Sequence, residues 1–203
     1  MKKALLITWA GFQDHELVYP YYRLLGEGFD AQIVSDKKDE LGRIYGIFGL
    51  NMPCHVLIED FINNSEYYHS NFDLLVIPGG VKSLEKLRQK KEVLKFINTW
   101  NADNKIIVST CHGAQLLISS QVVKGRKISG YYSLEDDINN AGAIYVNEPF
   151  VIDNNIITSP HYDHMGIWME EAIKMYNKKY SKLHAYEVVM ISLYQLGGAK
   201  RRI

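Results

Sequence analysis

Cysteine is almost missing from this chain: Cys54 and Cys111 are its only two among 203 residues. So sparse a set needs no disulfide scaffold, and a reactive thiol fits a reducing compartment, so the cytoplasm is the expected location. Net charge is missing as well. Lys plus Arg and Asp plus Glu balance at 23 each. That leaves no bulk electrostatic footprint for nucleic acid, and the basic end Lys200-Arg201-Arg202 reads as a solvated tail. No apolar run approaches the ~20 residues of a membrane span, so no membrane partner is expected. Met1 to Thr8 places basic residues before apolar ones, as a signal peptide does. Its apolar part is too short, however, and no small-residue cleavage site follows, so it reads as a first strand. Internal repeats, low-complexity stretches and linkers are absent, and the length suits one well-buried domain better than two.

What is present centres on Lys105-Ile106-Ile107-Val108-Ser109-Thr110-Cys111-His112-Gly113-Ala114-Gln115-Leu116-Leu117. A short β-branched run marks a buried strand. Small residues and Cys111 follow, and apolar positions then resume at helical spacing at Ala114, Leu117 and Ile118. A thiol at a strand-to-helix turn sits near the N–H groups of the helix N-terminus, which lowers it toward thiolate. A tight elbow also exposes its turn residue to a ligand. A lone cysteine is more often a buried core residue; the Cys111-His112-Gly113 context at a strand end favours the functional reading.

In chain order, Ala4–Thr8 reads as a strand. A helix follows from an N-cap at Asp14 to about Glu27, with Leu17, Tyr21 and Leu24 or Leu25 on its apolar stripe. Ala31–Val34 is a second strand. A loop or small hairpin is expected near Arg43–Phe48 and a weak helix around Ile58–Asn63. Phe72–Ile77 is a strand stopped by Pro78-Gly79-Gly80, where glycine lets backbone approach a ligand. Ser83 is the expected cap of one helix from Leu84 to about Trp100. After the elbow come a short strand at Lys127–Gly130, a helix at Leu134–Asn140, and strands at Ala143–Val146, Phe150–Ile152 and Ile156–Thr158. The last two join through the turn Asp153-Asn154-Asn155. A final helix runs from about Asp163 or Met165 to Tyr180. The alternation predicts an α/β fold: a flavodoxin-like, doubly wound, mostly parallel sheet with helices on both faces. Such sheets bind ligands beyond the strand C-termini, where Glu16, Gly79, Gly80 and Cys111 all fall.

Several separate stretches together resemble the PfpI intracellular-protease family of the ThiJ/PfpI superfamily. They are Cys111-His112-Gly113-x-Gln115-x-Leu117, Val123 to Lys127, Asp136 to Ala143, and Gly11-Phe12-Gln13-Asp14-His15-Glu16-Leu17-Val18-Tyr19-Pro20. Motifs in register are more specific than any one pattern. The resemblance covers residues 1–180. It implies a cysteine-dependent enzyme acting on small carbonyl electrophiles, glyoxalase- or deglycase-like, or a hydrolase or peptidase. It requires no cofactor and no metal, and its substrate is a small molecule or a peptide. Cys111 is then the nucleophile, His112 the base and Glu16 an acid beside the thiol. Without the resemblance, Glu16 reads equally well as a carboxylate in a helix first turn and His112 as a surface histidine. Gly80 and Gly113 offer backbone N–H groups to an oxyanion. Glu85 matches a residue that acts in trans from a neighbouring subunit, although as an exposed helix residue it needs no such role. The alternative is a non-enzymatic, redox-sensing stress protein oxidised at Cys111. A glutamine-amidotransferase-like domain is a third reading, disfavoured because His184 is followed by Ala185-Tyr186 and not by x-Glu.

One stretch departs from the family text. Where relatives carry Ser-Arg-x-Pro, this chain has Thr158-Ser159-Pro160-His161-Tyr162-Asp163-His164. His161, Tyr162, Asp163 and His164 form a candidate substrate loop. Two histidines and an aspartate lack the further strong ligand that a metal needs. Beyond Tyr180, Leu183, Tyr186, Met190 and Leu193 have rough helical spacing, which predicts a C-terminal helical extension over 181–203. An apolar stripe there must be covered, and a homodimer or higher homo-oligomer is the expected means.

Overall fold

A computed structural model describes residues 2–180. Seven strands form the main sheet: β1 (Lys3–Ile7), β2 (Asp30–Ser35), β5 (Val56–Leu57), β6 (Leu74–Ile77), β7 (Ile106–Thr110), β10 (Val151–Asp153) and β11 (Ile156–Ser159). Their spatial order is β10-β11-β7-β6-β1-β2-β5, parallel throughout except for the β10–β11 hairpin. The chain builds outward from β1 through β2 to β5, then returns to the other side of β1 with β6. The order reverses at β1/β6, so a crevice opens beyond the carboxyl ends of those two strands.

Burial explains the strands. Ala4–Ile7, Leu74–Ile77 and Ile106–Val108 are completely buried, as expected of runs covered on both faces. Leu5, Ile7, Leu75, Ile77 and Ile107 join one hydrophobic cluster with residues of α2 (Ile58–Asn63), α4 (Val81–Leu87), α5 (Lys91–Ala102), α6 (Ala114–Ser119) and α7 (Glu135–Asn140). The alternate positions Leu6, Ile33, Val76 and Val108 are buried outside that cluster, and α1 (Asp14–Gly26) packs on β1 and β2. Its stripe is the expected one, with Leu17, Tyr21 and Leu24 buried. Two small pairings complete the fold, the hairpin of β3 (Arg43–Tyr45) with β4 (Asn51–Pro53), and β8 (Lys127–Ile128) with β9 (Ile144–Tyr145). Residues up to Met169 form one compact unit. The second unit is described from Glu170 to Tyr180; it is helical, with Lys174 bridging Glu170 and Glu171. The extension expected over 181–203 lies outside the described residues.

Three local expectations are corrected. The cap of α1 is Gln13, whose Oε1 accepts from the Asp14 N–H at 2.9 Å, and not Asp14. The helix expected from Ser83 to Trp100 is two helices, α4 and α5, and α4 starts from Gly80. Ser83 is buried inside α4, where its Oγ accepts from the Trp9 N–H at 2.9 Å and meets Thr8 Oγ1 at 3.3 Å. A further helix, α3 (Ser65–Asn71), buries none of its residues, which explains why no apolar periodicity announced it.

Asp14 has a different task. Its carboxylate is almost wholly buried and accepts the N–H of Phe48 at 2.9 Å and of Leu50 at 2.8 Å. The β3–β4 loop is thus moored to the start of α1, and Ile47 N–H to Phe12 O at 2.9 Å ties it again. Asp14→Ala would leave two amides without their charged acceptor, a loss of about 2–3 kcal/mol at charge-assisted strengths. Urea denaturation should show that loss, and hydrogen exchange at Phe48 and Leu50 should accelerate selectively. Asp14→Asn, with one carbonyl oxygen in place of two, should recover part of it.

Candidate active site

The site grows from backbone contacts between loops. Gln13 N–H donates to Gly79 O at 3.2 Å, joining the β1–α1 connection to the β6–α4 connection. Glu16, one turn into α1, is thereby brought over Gly79, and its Oε2 accepts the Gly79 N–H at 2.8 Å. Cys111 closes the group from the end of β7. A Cβ on Gly79 would stand 2.2 Å from Glu16 Oε2 and 2.8 Å from Cys111 Cβ. Only glycine lets the three meet.

Cys111 opens a 3-10 turn, Cys111–Gly113, between the extended Thr110 and α6. Its φ is +54°, a left-handed conformation unusual for a side chain with a Cβ. The tight elbow expected from sequence is therefore present. The thiol is 6 % exposed. The N–H groups of Gly80 and His112 reach the sulfur, and His112 Nδ1 is 3.3 Å from it. Gly113 has another place: it lies so close to Ser109 Oγ and Ile77 O that any side chain would collide with them. Glu85 is exposed on α4.

The electrostatics differ from the expectation of a thiol lowered by a helix N-terminus. Burial pushes Cys111 up, and an ionised Glu16 beside it pushes in the same direction. The helix is only six residues long and begins behind a 3-10 turn, so its dipole is weak at the sulfur. Glu16 is completely buried, and desolvation raises its carboxyl to about 7, against the lowering effect of hydrogen bonds from Cys111 and Gly79. Its Oε1 has no partner among the described residues. Burial lowers His112, so its imidazole is neutral near pH 7. Cys54, the other thiol, is buried, donates to Val56 O at 3.4 Å, and is likewise pushed up by burial.

A cavity of about 250 Å³ lies over the sulfur, lined by Gln13, Glu16, Ile47, Gly80, Val81, Cys111, His112, Tyr131, His161 and Tyr162. Two residues of the candidate substrate loop therefore reach it. Asp163 stands outside, exposed, with its Oδ2 3.1 Å from His161 Nδ1. His164 does not line the cavity. No group of three or more His, Cys, Asp or Glu side chains suited to a metal occurs among the described residues.

Sequence reasoning missed Gln13, Ile47, Val81 and Tyr131. Tyr131 is set by its N–H to Cys111 O at 3.1 Å, and its ring stacks on His112 with centroids 4.6 Å apart. A tyrosine just after a short strand was the one available signal. Ile47 arrives only through the moored hairpin, which no local pattern announces.

Comparison with known proteins agrees with this architecture. Residues 2–175 match the DJ-1/PfpI family. Deglycase PfpI of Pyrococcus furiosus is 34% identical over 173 residues, covering 85% of this chain and 98% of that protein. General stress protein 18 of Bacillus subtilis is 28% identical, covering 87% and 99%. The structure of DJ-1 from Schizosaccharomyces pombe superposes with a TM-score of 0.78 at 19% identity, over 89% of this chain and 98% of that one, a likeness of fold. Among the described residues no helix is long and apolar enough to cross a membrane. With the family matched across nearly the whole described length, and with an elbow cysteine at the sheet's switch point, this chain belongs to the DJ-1/PfpI family.

Proposed function

We propose that the chain is a cysteine-dependent enzyme that acts on small carbonyl electrophiles, in the manner of a glyoxalase or deglycase. The observation that carries the reading is the Glu16–Cys111 pair. A carboxyl raised to about 7 stands beside a buried thiol, both within reach of a Cβ placed on Gly79, and two backbone N–H groups favour the sulfur as an anion. The deglycase name of the Pyrococcus furiosus relative supports it.

The chemistry follows from that pair. Ionised Glu16 takes the Sγ proton, and the thiolate attacks the carbonyl carbon of an α-oxoaldehyde. The C=O electron pair moves to oxygen, which receives a proton from Glu16, giving a hemithioacetal. Neutral His112, 3.3 Å from the sulfur, removes the former aldehyde hydrogen as a proton, giving an enediolate, and returns it to the adjacent carbon. Meanwhile the hemithioacetal hydroxyl gives its proton through Glu16 to the oxygen on that adjacent carbon and becomes the thioester C=O. The product is a thioester of a 2-hydroxy acid. Water cleaves it and restores the thiol, so the net change is oxoaldehyde plus water to 2-hydroxy acid.

A second reading has its own support. Two equivalents of peroxide take the Cys111 thiolate through sulfenate to sulfinate, and a Glu16 protonated up to about 7 can donate a hydrogen bond to that product. The stress-protein name of the Bacillus relative is in keeping with it. Homo-oligomerisation belongs to either reading. Tyr22, Phe48 and Leu50 are exposed along a groove of about 720 Å³, and Glu85 is available to a neighbouring copy.

The proton bookkeeping fixes a pH dependence. Below about 7 Glu16 and Cys111 are both protonated, and the carboxyl that takes the thiol proton is occupied. As pH rises through about 7 the pair loses one proton, and Glu16 becomes able to accept the other from sulfur. The expected kcat/KM on methylglyoxal rises with pH through an apparent pKa near 7. Glu16→Gln should abolish that limb and lower the rate about 10²-fold or more, and Cys111→Ser should leave only background. Wild-type protein inactive on every dicarbonyl and small peptide reporter would shift the assignment to oxidation sensing.

Stability runs the opposite way. The carboxyl rises from 4.5 to about 7 on folding, so the folded chain binds the extra proton between those values. The resulting stabilisation is full below 4.5 and is lost as pH climbs through about 7, a swing of roughly 3 kcal/mol. Denaturation midpoints of wild type should fall over that window relative to Glu16→Gln, which carries no titrating carboxyl. Light scattering on the full chain should give at least a dimer, and a monomer would remove the oligomer from the reading.

A further inference from the structure

The loop after β11 supplies one wall of the cavity, and its chemistry is one-sided. His161 and Tyr162 have ring centroids 3.8 Å apart. His161 continues to Tyr131 at 6.2 Å, and Tyr131 stacks on His112, whose Nδ1 faces the sulfur. A run of aromatic faces thus leads from the loop to the nucleophile. Among the described residues no Lys or Arg lines the cavity. Its histidine nearest the sulfur is held neutral by burial, and its one carboxyl, Glu16, ionises near 7. Asp163, exposed outside the cavity, has its Oδ2 3.1 Å from His161 Nδ1. The cavity, about 250 Å³, is smaller than the ~300–1,000 Å³ of sites for drug-sized ligands.

We propose that the His161–Tyr162 pair is a specificity element, making this a site for small, uncharged α-oxoaldehydes with a flat substituent and closing it to anionic carbonyls. The assignment rests on the carbonyl reading above. A planar group attached to the reacting carbon lies against the ring faces of Tyr162 and His161, which hold it by stacking and apolar contact. A carboxylate or phosphate at the same place meets no Lys or Arg and is repelled by ionised Glu16. Because apolar pockets reject a charged group more strongly than they reject a missing methylene, the discrimination against anions exceeds the preference for the ring.

Two measurements on the full-length chain test this. In the first, Cys111 is alkylated with iodoacetamide, iodoacetate or N-phenyl-iodoacetamide, followed by peptide mass mapping. Each rate is normalised to that of a free small thiol, which removes intrinsic reactivity. Iodoacetate should label at least tenfold more slowly than iodoacetamide after normalisation, and the phenyl reagent several-fold faster. Tyr162→Ala should erase the phenyl preference and Tyr162→Phe should keep it. In the second, phenylglyoxal and glyoxylate are compared as substrates. Phenylglyoxal should be favoured at least tenfold in kcat/KM, and Tyr162→Ala should act on that preference through KM. Equal labelling by the neutral and anionic reagents, or a phenyl preference that survives Tyr162→Ala, overturns the specificity element. Turnover of both substrates without discrimination overturns it while the carbonyl reading stands. Turnover of no dicarbonyl at all overturns the carbonyl reading, and the substrate assignment falls with it.

Discussion

The rest of the site depends on one contact: a carboxyl, a peptide N–H and a thiol brought together at Gly79 with no room for a Cβ. Each partner constrains the others. The Gly79 amide fixes the orientation of the Glu16 carboxyl. That carboxyl, buried and raised to about 7, sets when the neighbouring sulfur can lose its proton. The sulfur is held in place by a backbone twisted to a φ of +54°. Moving any one of them by an ångström would break the geometry, because the approach at Gly79 leaves no room even for a Cβ.

Sheet topology is what makes such a contact available. Glu16, Gly79 and Cys111 follow β1, β6 and β7, neighbours in space although distant in sequence. Parallel strands all deliver their carboxyl ends to the same edge, and the reversal at β1/β6 leaves the crevice uncovered there. The antiparallel β10–β11 hairpin adds β11 beside β7, and the loop after it carries His161 and Tyr162 to the cavity. The reactive trio and the aromatic wall thus come from connections at one end of a single sheet. The β3–β4 loop joins them from outside the sheet, moored by the Asp14 carboxylate.

Parallel, fully buried strands write themselves as unbroken apolar runs, so β1, β6 and β7 were legible, and with them the fold and the strand-end position of Glu16, Gly80 and Cys111. What was not legible has physical reasons. Gln13 outcompeted Asp14 as the cap of α1 because the aspartate carboxylate is engaged by two amides far along the chain, those of Phe48 and Leu50. Ser83 resembled a cap but is a buried hydroxyl answering Trp9 and Thr8. The helix α3 carries no apolar stripe to read. The direction of the Cys111 shift could not be read from the elbow alone. The dipole is a local property, whereas desolvation and the nearness of Glu16 are tertiary ones.

Several unfavourable terms gather around the crevice. A carboxyl is buried at the end of the crevice, a cysteine backbone is strained at the elbow, and the hydroxyls of Ser109, Thr110 and Ser159, at the carboxyl ends of β7 and β11, lack hydrogen-bond partners among the described residues. All lie at the same edge of the sheet. Away from that edge, the middle of β1, β6 and β7 is apolar and completely buried. Each unfavourable term at the edge is of order 1–3 kcal/mol, and each persists because the adjoining strands hold the loops in register whatever the loops contain. The unfavourable terms at this edge and the plain hydrophobic burial of the strand middles are therefore two aspects of one arrangement. The strand interiors supply the rigidity that lets a charge-bearing, under-satisfied edge exist, and that edge is where a thiol, a carboxyl and a cavity meet.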